Sequence, residues 1–266
     1  MGEAEVPVVQ MVQGRAGAMK YQILSVACGG PGFNEYSPQE FVVDFSPPDP
    51  NVKRVPVRVT LDNRDNLLTP CQAYQKLLDD SDPMIDVLIY VHDDVTIHDP
   101  DWLSRILRLF DNPNCAVAGL GGALSLGHPF LYRRPYRIQD MARNGYRSNQ
   151  TDWQVHGDRE QGDCRVAVLD AFLMAVRRDW LLSIGGWPVA HISHHLLDLF
   201  LACEASRAGK ETWITGASCT HHGGGTSTKP IYAEAKWLQG NSLESDHQIP
   251  HRWLANEYRD VLPIRV

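Results

Sequence analysis

Residues 86–110 read DVLIYVHDDVTIHDPDWLSRILRLF. The apolar run at 86–91 has the length and composition of a strand buried on both faces. It runs straight into His92-Asp93-Asp94. Asp99-Pro100 then reads as a helix start, with Asp99 as N-cap and Pro100 at the first helical position. Trp102, Leu103, Ile106, Leu107 and Phe110 follow on one helical face. Strand, acidic loop and helix in this order predict a mainly parallel sheet covered by helices. Ligands of such sheets bind beyond the C-terminal ends of the strands, which makes residues 92–94 the first candidate site.

The same alternation extends outward. Strands are expected at 21–27, 55–61, 115–120, 165–176 and 211–214, and helices at 70–78, 178–184 and 195–207. Two more helical stretches are expected near 231–239 and 251–259. The first strand ends at Cys28-Gly29-Gly30-Pro31-Gly32, either a loop that lets a nucleotide approach the backbone or a plain turn. The second ends at Asp62-Asn63. Residues 127–165 interrupt the pattern with seven arginines, no lysine and five acids, interspersed with Tyr132, Tyr136, Tyr146 and Trp153. They read as a long excursion from the sheet. The expected organisation is a leader at 1–18 and one α/β domain over 19–266, in which 226–266 forms a helical appendage.

Hydrophobic residues make up 43% and charged residues 21% of 266, which excludes a disordered or fibrous chain. No apolar run approaches the roughly 18–20 residues that span a bilayer. The N-terminus lacks a cationic start followed by an apolar stretch, so a cytoplasmic protein without a membrane span is expected. A net charge of −7 argues against nucleic acid as the default partner. Six scattered cysteines without a CxxC pair exclude the usual zinc site and suit a reducing compartment.

Four positions carry candidate chemistry. Asp93 and Asp94 at the end of an apolar strand either cap the following turn or, with His92, hold Mg²⁺ or Mn²⁺. His221-His222 precede a glycine run and offer ligands or a phosphate contact. Asp198 lies within LLDLFLAC and Asp170 within VLDAFLMAV. An acid in such surroundings lines a cleft or faces solvent on an amphipathic element.

The string YVHDDVTIHDPDWL resembles the metal-site region of family 2-like glycosyltransferases with the GT-A fold. VLDAFLMAVRRDWLLSIGGW is similar to their acceptor-side segment, LLDLFLACEASRAGK to the helix that follows, and CTHHGGGTS to their closing motif. The four motifs occur in order over roughly residues 55–228. There are departures: His92 stands where the first carboxylate of the metal motif is usual, Leu197 where a Glu precedes Asp198, and Ala171 where a Gly follows Asp170.

The resemblance implies a GT-A-type, Rossmann-like mixed sheet, mainly parallel and flanked by helices, with the Arg- and aromatic-rich excursion inserted. It implies a metal-dependent, inverting transfer from a nucleotide-diphosphate sugar, expected to be a UDP-sugar, to a hydroxyl on a glycan or lipid-linked glycan. The cation, Mn²⁺ or Mg²⁺, falls to Asp94 with His92 and to His221 or His222. Asp198 falls at the base. Donor contacts fall to Cys28, Gly29, Asp62, Asn63, Asp93 and Asp170. Hydroxylated bases in DNA are the less favoured acceptor, motivated by the excursion's arginines. A GT-A-like module that binds nucleotide sugars without turning them over, and a nucleotidyltransferase, are the other readings.

Overall fold

The structure, a computed structural model, describes residues 19–27, 58–63, 67–127, 145–150, 157–193, 195–221 and 243–266, with the backbone alone for 27, 58 and 243–248. Its strands, in chain order, are β1 (Tyr21–Ala27), β2 (Arg58–Asp62), β3 (Val87–Val91), β4 (Val95–Ile97), β5 (Cys115–Gly119), β6 (Gly121–Ala123), β7 (Ser125–Leu126) and β8 (Tyr146–Ser148). Next come β9 (Asp158–Arg159), β10 (Asp163–Val166), β11 (Val168–Leu169), β12 (Leu173–Arg177), β13 (Glu211–Thr215), β14 (Cys219–His221) and β15 (Ile264–Arg265). The described helices are α1 (Pro70–Asp79), α2 (Trp102–Leu109), α3 (Arg178–Ser183), α4 (Leu197–Arg207) and α5 (Leu243–Glu257).

Seven strands form the central sheet in the order β10-β13-β5-β12-β3-β1-β2. β1 pairs in parallel with β2 and β3, and β5 with β13, while β12 and β10 run antiparallel to their neighbours. The sheet is therefore mixed and mainly parallel, as expected. All five residues of β3 are buried, because both faces of the sheet are covered. Strand alternation sends Val87, Ile89 and Val91 to a core shared with Ile106 and Leu109 of α2. It sends Leu88 and Tyr90 to the other face, against Tyr74 and Leu77 of α1 and Phe200 of α4.

Three local readings need correction. Helix α2 starts at Trp102, not after Asp99, and makes no side-chain cap hydrogen bond. Asp99 is occupied elsewhere: Oδ1 accepts from the Asp101 amide at 2.9 Å and Oδ2 from Arg105 at 2.7 Å. The run 165–176 is not one strand. The Ala167 and Asp170 amides turn away to the carbonyls of Ala123 and Gly121, dividing it among β10, β11 and β12. The last helix extends N-terminally through Pro250, which sequence reading places outside it.

The divided run builds a second sheet, β11-β6-β8-β9. It holds part of the excursion: β8 and β9 lie here, while β10 edges the central sheet. Residues 128–144 and 151–156, with Arg133, Arg134, Arg137 and Arg143, lie outside the described residues. The C-terminal segment, read as an appendage, places Leu254, Tyr258 and Leu262 in the main core, and β15 pairs with β7. Among the described residues no helix is long and apolar enough to cross a membrane.

Candidate active site

Val91 ends β3, and a tight turn carries Asp93 and Asp94 into β4. β4 pairs antiparallel with β14 so that His221 sits opposite Val95. That register, joining positions more than a hundred residues apart in sequence, brings His221 to Asp94. Nε2 of His221 lies 3.3 Å from Asp94 Oδ1, and Nδ1 of His92 lies 3.9 Å from the same oxygen. The three ligand-type atoms fall within 4.8 Å of one another. Both rings are held from behind: His221 stacks on Phe172 at 5.2 Å, and the His92 amide donates to the Phe172 carbonyl at 3.0 Å.

The cluster fits a divalent cation. Adjacent ligands on a cation with bonds of about 2.1 Å stand roughly 3 Å apart. The His221–Asp94 spacing is close to that, and His92 needs only a small approach. Asp94 Oδ1 is buried, with His221 Nε2 at 3.3 Å as its near partner. A buried carboxylate oxygen is costly unless a cation, a proton or a donor supplies the missing charge, and a cation here would be shared with both imidazoles. Burial pushes the Asp94 carboxyl up, but His221 and His92 overcome it and hold its pKa at about 2, so it is an anion at neutral pH. His92 is pushed below its ordinary value by burial first and by His221 second, which keeps its imidazole neutral and able to ligate.

Two further carboxylates stand beside this cluster. Asp170 follows β11, two residues before Phe172, and its charge acts on both His92 and Asp198. Its Oδ2 accepts from the Tyr146 hydroxyl at 2.8 Å. Asp198 lies in the first turn of α4, 8% exposed, with Oδ1 accepting from the Leu199 amide at 2.9 Å. Burial, and then the Asp170 charge, raise its pKa to about 7. Sequence left open whether the helix dipole or burial governs this acid; burial does. Leu196, just before α4, adopts the left-handed conformation at φ 74°. For a buried leucine this costs energy, and it fixes the entry of the chain into the turn that carries Asp198.

The expected site residues divide into three groups. His92, Asp94, His221, Asp170 and Asp198 are linked as described. Asp93 occupies the same turn, and its charge reaches His92. Asp62 ends β2 opposite Ala27, at the C-terminal edge of the parallel strands. Asn63 is buried with its amide committed to the loop: Nδ2 donates to the Leu68 carbonyl at 2.9 Å and Oδ1 accepts from the Leu68 amide at 3.1 Å. Cys28, Gly29 and His222 lie outside the described residues. Sequence reasoning missed Tyr146, Gln150 and Phe172. Phe172 had a signal in its position two residues after Asp170; Gln150 had none.

The glycosyltransferase-like family matches residues 58–238, more than half of the chain. No curated protein matches. Among solved structures, GalNAc-T7 with UDP, GalNAc and Mn²⁺ is similar at 11% identity over 76% of this chain, with a TM-score of 0.50. The match spans only 44% of that protein. Mannosyltransferase PcManGT from Pyrobaculum calidifontis, in complex with GDP-Man and Mn²⁺, is 14% identical over 91% of this chain and 74% of that one, with a TM-score of 0.45. A197 from STIV is 14% identical over 74% of this chain and 82% of that one, with a TM-score of 0.35. The likeness to GalNAc-T7 is one of fold, of the GT-A type.

Proposed function

The chain belongs to the glycosyltransferase-like family, and from that premise we propose that it moves a sugar from a nucleotide-diphosphate sugar to a hydroxyl acceptor in a metal-dependent, inverting displacement. The observation that carries this reading is the convergence of His92, Asp94 and His221 at the end of β3, with Asp170 and Asp198 beside it. Asp94 and His221, assisted by His92, would hold a divalent cation, whose positive charge would offset that of the leaving diphosphate. GalNAc-T7, which shares the fold, is solved with UDP, GalNAc and Mn²⁺, in keeping with such a donor and ion.

Asp198 acts on the acceptor. As the acceptor oxygen bonds to the anomeric carbon, the bond from that carbon to the diphosphate breaks, and the acceptor proton passes to Asp198. A base with a pKa of about 7 is suited to this at neutral pH, being about half ionised and basic enough to hold the proton. One displacement inverts the anomeric centre and needs no carboxylate nucleophile. In this reading Asp62, at the end of β2, and Asp93 contact the donor nucleotide, and a glycan or lipid-linked glycan is the acceptor.

The test is incubation with a panel of UDP-, GDP- and dTDP-sugars with and without Mn²⁺, reading release of nucleoside diphosphate. Mn²⁺-dependent release with one donor supports the reading. Tight binding with no turnover, on any acceptor, would identify a binding module instead. Release of pyrophosphate would identify a nucleotidyltransferase.

A further inference from the structure

Tyr146 and Gln150 have no part in the chemistry above, yet both are buried, at 5% and 7% exposure, and Gln150 is linked to Asp170 through the Tyr146 hydroxyl. The Tyr146 hydroxyl lies 2.8 Å from Asp170 Oδ2 and 2.8 Å from Gln150 Nε2. It has one proton to give. The amide N–H of Gln150 can only donate and a carboxylate can only accept, so the proton points to Asp170 and the lone pair receives Gln150. The direction of the relay is thereby fixed: Gln150 to Tyr146 to Asp170. Its far end is tied to the strand that carries His221, because Gln150 bridges to Cys219 of β14. Its near end is Asp170, whose backbone amide is held by the Gly121 carbonyl.

Gly121 makes the arrangement fit. A Cβ there would stand 2.6 Å from the Tyr146 hydroxyl, 3.2 Å from Ser148 Cβ and 3.3 Å from the Phe172 ring. The tightest of these encounters is with the hydroxyl itself. Any other residue at 121 would push the hydroxyl away from Asp170.

We propose that Tyr146 is a positioning residue for the transfer: its hydroxyl, oriented by Gln150 and given room by Gly121, fixes the Asp170 carboxylate where the cation ligands meet Asp198. This rests on the transferase reading. Asp170 has no hydrogen bond to its second oxygen among the described residues, and Asp170 itself is only partly buried. The relay therefore holds one oxygen and leaves the other turned to the bound sugar or acceptor. Tyr146 acts through Asp170 and touches no reacting atom.

The experiment is a cycle of variants read against the wild-type chain with its active donor and Mn²⁺. Tyr146→Phe keeps the ring and its packing and removes one hydrogen bond to a charged group. It is expected to lower kcat about tenfold or more. Affinity for Mn²⁺ with the nucleoside diphosphate alone, measured by calorimetry, stays within about twofold, because Tyr146 and Gln150 supply no ligand atom to the cation cluster of His92, Asp94 and His221. Gly121→Ala is expected to lower kcat to a similar degree. Made in the Tyr146→Phe background it should add little further loss, since the displaced hydroxyl is already gone. Should Gly121→Ala fail to fold, Gln150→Leu takes its place in the same cycle with the same expected non-additivity. Wild-type kcat in Tyr146→Phe overturns the proposal. So do multiplicative losses in the double variant, and so does an equal loss of kcat and of nucleotide affinity, which marks a general structural role. A wild-type chain inert toward every donor is a different result: it sinks the transferase reading, and this inference with it, before any variant is made.

Discussion

The role proposed for Asp198 sets two demands in conflict, since a base must ionise and a buried carboxyl resists ionising. In the folded chain it holds its proton up to about pH 7, against about 3.8 for the ordinary group. Between those values the unfolded chain has released the proton and the folded chain has not, so stability falls as pH rises from about 4 to about 7 and stays at the lower level above. Asp198→Asn removes the conflict. Its melting temperature should exceed wild type at pH 8, by an amount worth a few kcal/mol at most, and the gain should vanish near pH 4. Activity should move the other way, with kcat about 10²–10⁴-fold lower and donor affinity unchanged. A folded Asp198→Asn with full transfer activity would remove Asp198 from the mechanism. The cation site yields a second expectation. Two imidazoles and one carboxylate suit Mn²⁺ better than Mg²⁺, which prefers an all-oxygen shell. Calorimetry in the presence of nucleoside diphosphate should find Mn²⁺ bound more tightly, His92→Asp should narrow the gap, and Asp94→Ala should abolish binding. Most of these residues were legible in the sequence because acids in apolar runs announce a cost. The choice of His221 as Asp94's neighbour was not, since it depends on the β4–β14 register and on nothing local.

At the level of elements, buried strands and the approximate helix spans were legible but the helix caps were not, and exceptions arose where a long-range hydrogen bond outweighed a local preference. Thr69 begins α1 with both halves of a capping box, its hydroxyl accepting from the Gln72 amide at 3.2 Å and the Gln72 side chain accepting from the Thr69 amide at 2.9 Å. Thr69→Ala should therefore cost about 1 kcal/mol, measured by urea unfolding, with kcat close to wild type. Asp99 has the composition of a cap but serves Arg105, whose guanidinium also reaches Thr215 and the Gln161 carbonyl. An arginine that ties α2 to β13 and to the loop before β10 is a tertiary fact, invisible in residues 99–105. The same holds for the run 165–176, where an unbroken apolar pattern conceals two departures toward β6. Gly122 permits that contact: a Cβ there would meet the Val168 carbonyl at 2.4 Å. Periodicity can report burial, but it cannot report which of two sheets does the burying.

Across the whole molecule, the parallel strands bring Asp62 and, just after Val91, His92 to one edge of the sheet, where the proposed donor site lies, and the last segment closes the core that packs α4. That segment is where reading the sequence as an appendage and the observed packing differ most. Tyr258 is 1% exposed, donates to Glu204 at 2.6 Å and lies under the Arg207 guanidinium at 4.2 Å. Arg207 in turn donates to the Glu257 carbonyl at 2.6 Å. Leu254 and Leu262 are buried in the same cluster as Phe200 of α4. Composition could not reveal this, because 251–259 has the polar balance of a surface helix and its apolar positions find partners far away in sequence, among them Phe200 of α4 and His191. Each buried side chain of this size contributes about 1.5–3 kcal/mol, and three of them make up much of the roughly 5–15 kcal/mol that keeps a domain folded. Tyr258→Ala alone should cost about 3–5 kcal/mol. A chain ending at residue 242 should lose its cooperative thermal transition, and with it the proposed donor binding and base, since α4 carries Asp198 on the helix that Tyr258 braces. An appendage would behave otherwise: the shortened chain would melt as sharply as the full one and bind Mn²⁺ and nucleotide unchanged. Calorimetric melting of the two chains side by side separates these outcomes.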